Sequence, residues 1–174
     1  AAVGAAAKQI GDMADAYTNL TSKLRNVTGT EAELARVREQ VLSIAQNTRQ
    51  EYESTATLYA RLTRATEDLG LAESQRLKIT DTLNKAMVVS GASAQEASAA
   101  IIQLSQGLAA GALRGEEFNS VAEQAPILLD LVAQATGKTR GELRAMAQDG
   151  EITSAVLTGA LLQGASTVDA QFAN

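Results

Sequence analysis

The sequence has no cysteine, no histidine and no tryptophan, one proline, and aromatic residues at only 3% of its 174 positions. Each absence removes a class of chemistry. Without cysteine there is no disulfide, no thiolate metal site and no thiol nucleophile. Without histidine the usual general base, the commonest transition-metal ligand and every Ser–His or Cys–His dyad are gone too. Basic residues number 15 against 20 acidic ones, and the net charge of −5 argues against a nucleic-acid backbone as partner. The start lacks the basic segment and unbroken apolar run of a cleavable signal peptide. Nothing in this residue set calls for a cofactor.

What remains is helix-forming material. Hydrophobic residues make up 45%, and roughly one residue in five is alanine, so core volume must come from Ala, Leu, Ile and Val. Ala, Leu, Gln, Glu and Arg favour helices, and few β-branched or aromatic runs could seed a sheet. The expectation is an all-α fold, with long heptad-patterned helices followed by a compact bundle of short ones. Charge divides unevenly between the halves. Residues 1–90 carry 11 basic and 11 acidic side chains, while 91–174 carry 4 and 9, which supplies the whole −5. The chain opens without Met inside a helical run and stops inside another, so it reads as a piece of a longer protein.

Val3, Ala7, Ile10, Ala14, Tyr17, Thr21 and Leu24 form one helical stripe at coiled-coil spacing. Gly29 is expected to end that helix in a left-handed cap. Thr30 to Glu33 then reads as a capping box. Leu34, Val37, Val41, Ile44, Thr48, Glu51, Thr55, Leu58, Leu62, Ala65 and Leu69 keep a/d spacing with no Gly or Pro before Gly70. This predicts one helix from Glu31 to Leu69, about 58 Å long, with a break near Gln50 as the competing reading. Its polar middle (Thr48, Glu51, Thr55) is either solvated or sets the register. A third helix runs from Ala72 to Ser90 with Ile79, Leu83, Ala86 and Met87 inward, and Gly91 stops it. Ser93 to Glu96 is a second capping box, opening a helix whose inner face is Ala97, Ile101, Leu104 and Leu108. Further short helices begin at Gly115, at Pro126 (inner face Leu128, Leu129 and Val132), at the Thr139–Glu142 capping box (Leu143, Met146 and Ala147), and after Gly150 (Ile152, Val156 and Ala160). Three regions follow: an N-terminal arm (1–28), a long helix and hairpin (29–90) and an Ala/Gly-rich subdomain (91–174), with 29–165 as one folded unit.

Candidate chemistry is thin. Glu116 and Glu117 are adjacent carboxylates, but consecutive helical residues point about 100° apart and cannot face one scissile bond. Compensation of the helix dipole explains them better. Asp149 and Glu151 flank Gly150, yet the other ligands of a calcium loop are missing. Tyr52 and Tyr59 share a helix face and suit packing better than base stacking. Gly107, Gly111 and Gly115 stand at intervals of four. They form either a groove for close helix–helix contact or, at Gly111 or Gly115, a helix stop. That ladder and the seam residues Leu34, Val37, Val41, Ile44, Leu58, Leu62 and Leu69 are the candidate helix–helix contacts.

The wording of the back half is specific. Ser90-Gly91-Ala92-Ser93 leads to Glu96-Ala97, then Gln103-Leu104-Ser105-Gln106 and Leu113-Arg114-Gly115-Glu116-Glu117-Phe118-Asn119. Gln124-Ala125-Pro126, Gly137-Lys138-Thr139, Gly141-Glu142-Leu143-Arg144 and Asp149-Gly150-Glu151-Ile152-Thr153 follow in order. Upstream stand Thr48-Arg49, Leu58-Tyr59-Ala60-Arg61-Leu62 and Asp68-Leu69-Gly70. This order resembles the conserved domain near the N-terminus of tail tape measure proteins of long-tailed phages and prophages, over roughly residues 15 to 165.

The resemblance implies a long, mostly helical parent chain that fills the tail tube, sets its length and nucleates its polymerisation. The long repetitive ruler region is not in this sequence, so the piece reads as an attached structural assembly module with no enzymatic activity. Implied partners are tail tube and tail tip or baseplate proteins, tail assembly chaperones, and further copies of itself in small number. Implied locations are the tail lumen of the virion and, during assembly, the host cytoplasm. Two other readings compete: a membrane-active segment, from the uncharged runs Ala97–Leu113 and Ile152–Val168, and a cell-wall-cleaving enzyme using Glu116 or Glu117.

Overall fold

A computed structural model describes residues 18–173. The elements are α1 (18–25), α2 (Glu31–Thr48), α3 (Tyr52–Ala65), α4 (Glu73–Val89), α5 (Ala94–Ala109), α6 (Gly115–Gln124), α7 (Pro126–Thr136), α8 (Arg140–Asp149) and α9 (Ser154–Phe172). A one-turn 3₁₀ helix covers Glu67–Leu69. Among the described residues the sole β pairing is an isolated antiparallel bridge between Ala112 and Thr153. The fold is all-α. The stripe Val3, Ala7, Ile10, Ala14 and Tyr17 lies outside the described residues; of its remainder, Leu24 is buried, together with Leu20 one turn earlier.

Local chemistry sets most helix ends. The hydroxyls of Thr30, Ser93, Thr139 and Thr153 accept from the N–H groups of Glu33, Glu96, Glu142 and Val156. Each satisfies a donor that the helix itself leaves open. The carboxylates of Glu96 and Glu142 return a bond to the N–H of Ser93 and Thr139, both at 2.8 Å. Holding two donors in this way lowers both carboxyl pKa values below the ordinary range: for Glu96 the Ser93 side chain contributes most, for Glu142 the Thr139 backbone. Pro126 takes the first helical position of α7. Gly29 departs from expectation. It is not left-handed, and its N–H instead donates to Glu33 Oε2 at 2.8 Å, tying the α1–α2 corner to the first turn of α2.

The continuous helix Glu31–Leu69 does not form; the break near Gln50 does. Arg49 adopts a left-handed conformation (φ 54°, ψ 32°) and ends α2, and α3 starts at Tyr52. The two helices fold back on each other as a hairpin, so one sequence stripe feeds two cores. Leu34, Val37 and Val41 join Leu20, Leu24, Ala56, Tyr59 and Leu77 in a small front cluster, with Ile44 and Tyr52 half-buried at its edge. Leu58 and Leu62 enter a larger cluster that runs on through Ile79, Leu83, Met87, Leu104, Leu108, Phe118, Leu128, Leu143, Leu157 and Val168. Leu69 is in neither: it lies in the 3₁₀ turn and is 38% exposed.

The large core is layered. α9 packs along α4 and α7, α5 lies between α3 and α6, and α8 closes on α6 and α7. Burial follows the predicted faces closely. Ala97, Ile101, Leu104 and Leu108 on α5, and Leu128, Leu129 and Val132 on α7, are all buried.

Candidate functional site

The candidate site is the set of places where helices meet, since these carry the closest contacts among the described residues. The glycine ladder is not one of them as a unit. α5 ends at Ala109, Gly111 takes φ +85° in the following turn, and Gly115 begins α6. A Cβ at Gly111 or Gly115 would meet nothing within 4 Å. The groove reading therefore falls, because fours in sequence lie on one face only if one helix spans them all. Gly107 alone is a close-contact position, where a Cβ would fall 2.7 Å from Leu113 Cδ1 and 3.2 Å from Leu113 Cα. The Gly111–Leu113 turn folds back there because Leu113 N–H donates to Ile152 O at 2.8 Å and Ser154 N–H to Gly111 O at 3.0 Å. The Ser154 hydroxyl adds a bond to Leu108 O at 3.0 Å.

The closest approach at any described glycine was not singled out in the sequence. At Gly164 on α9 a Cβ would lie 2.5 Å from Leu131 Cδ2, so α7 and α9 touch through the missing side chain. One turn and a half earlier, Gly159 faces open space. Spacing does not separate these two glycines; only the position of Leu131 does.

α9 is also held to α4 by charge. Asp169 accepts from Lys78 Nζ and from Lys85 Nζ, both at 2.7 Å, and Lys85 also donates to Asp81 at 2.7 Å. The Lys85 ammonium sits 5.7 Å from the centre of the Phe172 ring. Burial works against the charge on Lys85, but its bonds to Asp169 and Asp81 outweigh it and hold the ammonium above its usual pKa. The same contest at Asp169 is won by the two lysines, and its carboxyl lies below the usual range. Lys78, Asp81 and Lys85 are readable as a helical i, i+3, i+7 charge pattern. Their partner, 84 and 91 residues away, is not.

The hairpin has its own polar lock. Asn84 of α4, fully buried, donates through Nδ2 to the hydroxyls of Thr48 (3.2 Å) and Thr55 (2.8 Å). Those hydroxyls donate in turn to Ile44 O and Glu51 O, which satisfies them within their own helices. Thr48 and Thr55 are thus neither solvated nor part of a coiled-coil seam; they are the buried floor of the turn. Glu51, the third member of the polar middle, is exposed and caps α3 without a side-chain bond. Outside, Arg36 clasps Glu73 with two bonds of 2.9 Å. That clasp, chiefly its hydrogen bonds, lowers the Glu73 carboxyl. Tyr59 is a buried member of the front cluster, and Tyr52 packs half-buried at its edge. Burial raises the Tyr59 phenol, with Arg76 and Thr63 acting in the opposite sense.

The remaining chemical candidates stay apart. Glu116 is exposed and Glu117 half-exposed in the first turn of α6. Asp149 and Glu151 are exposed on either side of Gly150, whose φ of +73° makes it the cap of α8. No group of three or more His, Cys, Asp or Glu placed to hold a metal ion occurs among the described residues. The uncharged runs lie mostly in α5 and α9 and carry core residues, and no described helix is long and apolar enough to cross a membrane.

No curated protein and no solved structure matches the chain. A family does: residues 8–174, nearly the whole length, match the family described as tape measure protein. With an all-helical fold and packing surfaces as its main features, the chain belongs to the phage tail tape measure protein family.

Proposed function

We propose that this chain is a structural assembly module of a tail tape measure protein, carried on a longer chain, and that it serves tail tube assembly and tail length determination without catalysis. The observation that carries this reading is the family match over residues 8–174. In the same reading the module resides in the tail lumen of the virion after a stage in the host cytoplasm. It contacts tail tube and tail tip or baseplate proteins and assembly chaperones, and associates with a few copies of itself.

Geometry suggests how the work divides between module and ruler. A ruler made of helix lengthens by about 1.5 Å for every residue added. A fold whose helices turn back on one another, as α2 on α3 and α9 on α4, has a span that does not scale with residue number. The module therefore anchors or nucleates, and a separate extended region measures.

Tail length in phage carrying an in-frame deletion of residues 31–172 tests this. The expected result is a sharp fall in the number of tails, with unchanged length in those that form, by electron microscopy. Tails of normal number shortened by about 210 Å, the length of that segment as helix, would make the module part of the ruler.

A further inference from the structure

Every left-handed turn among the described residues uses glycine, with one exception. Gly70, Gly91, Gly111, Gly137 and Gly150 have positive φ, and Arg49 is the lone non-glycine residue that does. The backbone pattern at Arg49 repeats that of three glycine ends. Gln50 N–H bonds Ala45 O at 3.0 Å, as Ala92 bonds Met87, Lys138 bonds Ala133 and Glu151 bonds Met146. An L side chain in this conformation brings its Cβ against the following carbonyl oxygen. The far side of the turn is equally bare. Glu51 caps α3 with no side-chain bond, as Ala72, Arg114 and Ala125 do for α4, α6 and α7, whereas Thr30, Ser93, Thr139 and Thr153 supply one. No Gly or Pro stands between Glu31 and Leu69, and the heptad spacing passes through the bend unbroken. The sequence of the turn is helical; its conformation is not.

Besides the Asn84 bonds to Thr48 and Thr55, the bend is held by packing of Leu34, Val37 and Val41 against Ala56, Tyr59 and Leu77, and of Arg36 on Glu73. A second copy of this chain offers the same surface. We propose that Arg49–Glu51 is a hinge through which two copies exchange their α1–α2 arms: each chain straightens into one helix over Glu31–Ala65, and each arm seats on the α3–α4 surface of the other copy. The exchange returns every apolar contact of the arm, because the partner supplies an identical one. It relieves the left-handed arginine and extends the helix through the bend. One closed-form feature opposes it. Thr48 and Thr55, seven residues apart in a straight helix, converge on Asn84 Nδ2 only when the hairpin is shut. Opening without a partner would leave Leu34, Val37 and Val41 in water, so opening and pairing are one event. The inference rests on the self-association proposed above and specifies its structure.

The absence of native cysteine makes the test direct. Glu39→Cys and Arg64→Cys, both exposed positions, carry a spin-label pair on the full chain, diluted into unlabelled chain. Pulsed EPR reads the distance within one chain, and sedimentation reads the assembly. A straight helix places these positions about 37 Å apart; the hairpin brings them far closer. The expected result is a short distance in the monomer and one near 37 Å in the dimer. Arg49→Gly should weaken the dimer by about a hundredfold, because glycine relaxes the bend and disfavours the straight helix at both hinges. Glu51→Pro should act in the same direction, since φ −66° already suits proline while a helix interior does not; if that variant fails to fold, Arg49→Gly decides. Dimers with a short distance would overturn the exchange and leave self-association standing. A monomer at every concentration would overturn both, and an unchanged dimer in Arg49→Gly would overturn the hinge.

Discussion

The front and back cores of this protein are built on different principles. The front one is a thin stripe of large side chains, Leu20, Leu24, Leu34, Val37 and Val41 against Tyr59 and Leu77. Its polar ties, Lys23–Glu53, Arg25–Glu31 and Arg36–Glu73, lie on the outside with at least one exposed partner each. The back one is continuous through α3, α4 and α5–α9 and gains closeness from small residues, as at Gly107, Gly164, Ala100, Ala147 and Ala160. Exposed ion pairs contribute little, so the front depends on a handful of apolar contacts. The back spreads its stability over many elements that cannot be removed singly. A detachable arm and a fixed body are what that difference teaches.

Cavities are the strongest way to break the comparison. Leu104→Ala, at a fully buried position of the back core, should cost about 2–5 kcal/mol and shift every probe of unfolding together. Leu34→Ala in the front should cost less and separate the probes. The protein's tyrosines are Tyr17, Tyr52 and Tyr59, all in the front half, so tyrosine fluorescence should melt before far-UV circular dichroism in this variant. Coincident melts would mean that the two cores unfold as one.

The glycines of α9 give a smaller and signed effect. Gly164→Ala should destabilise by about 1–3 kcal/mol because Leu131 must move. Gly159→Ala, in open space on the same helix, should stabilise by up to about 1 kcal/mol. Thermal melts of the two variants beside the parent check this, and equal shifts would remove the close-contact role of Gly164.

The smallest expected effect is acid sensitivity. The carboxyls of Asp169, Glu96 and Glu142 in the back and Glu73 in the front all have lowered pKa values. Their stabilisation is present above the ordinary values of 3.8 for Asp and 4.5 for Glu and is lost as pH falls through the lowered ones. With three of these four groups in the back, melting followed by circular dichroism should fall by a few degrees below about pH 4. Asp169→Asn should remove part of that dependence. A melting temperature flat down to pH 2 would contradict it.

Elements written locally were legible. Ser93–Glu96, Thr139–Glu142, Pro126 and the stop at Gly91 each act within about one turn, and the structure has them; at Thr30–Glu33 the hydroxyl bond forms, but the carboxylate reaches Gly29. The hairpin was half-legible. The polar run Thr48, Glu51, Thr55 marked the place, but arginine is no turn residue, and the partner that makes the bend stable, Asn84, lies 29 and 36 residues away. The glycine ladder was undecided for a related reason: its groove reading falls, and its helix-stop reading holds at Gly111. A period of four identifies a helix face only after the helix is known to continue, and Gly111 at φ +85° shows that it does not. At the packing sites themselves, which glycine matters is decided by Leu113 and Leu131, and neither choice is written in the spacing.

The reach of Asp169 across 84 and 91 residues to Lys85 and Lys78 bears on how the chain folds as it is made. α4 leaves the ribosome with one face uncovered, and the helix that covers it follows that many residues later. At roughly 5–20 residues per second, that interval is about 4–18 s. The α2–α3 hairpin and its contacts with α4 are local and form early in it, on the timescale of helix pairing rather than of synthesis. During those seconds the residues of α4 that end in the back core, among them Ile79, Leu83 and Met87, still lack the cover that α9 supplies. A holding factor that acts on this protein during translation would find its binding window there, and would be displaced when α9 arrives.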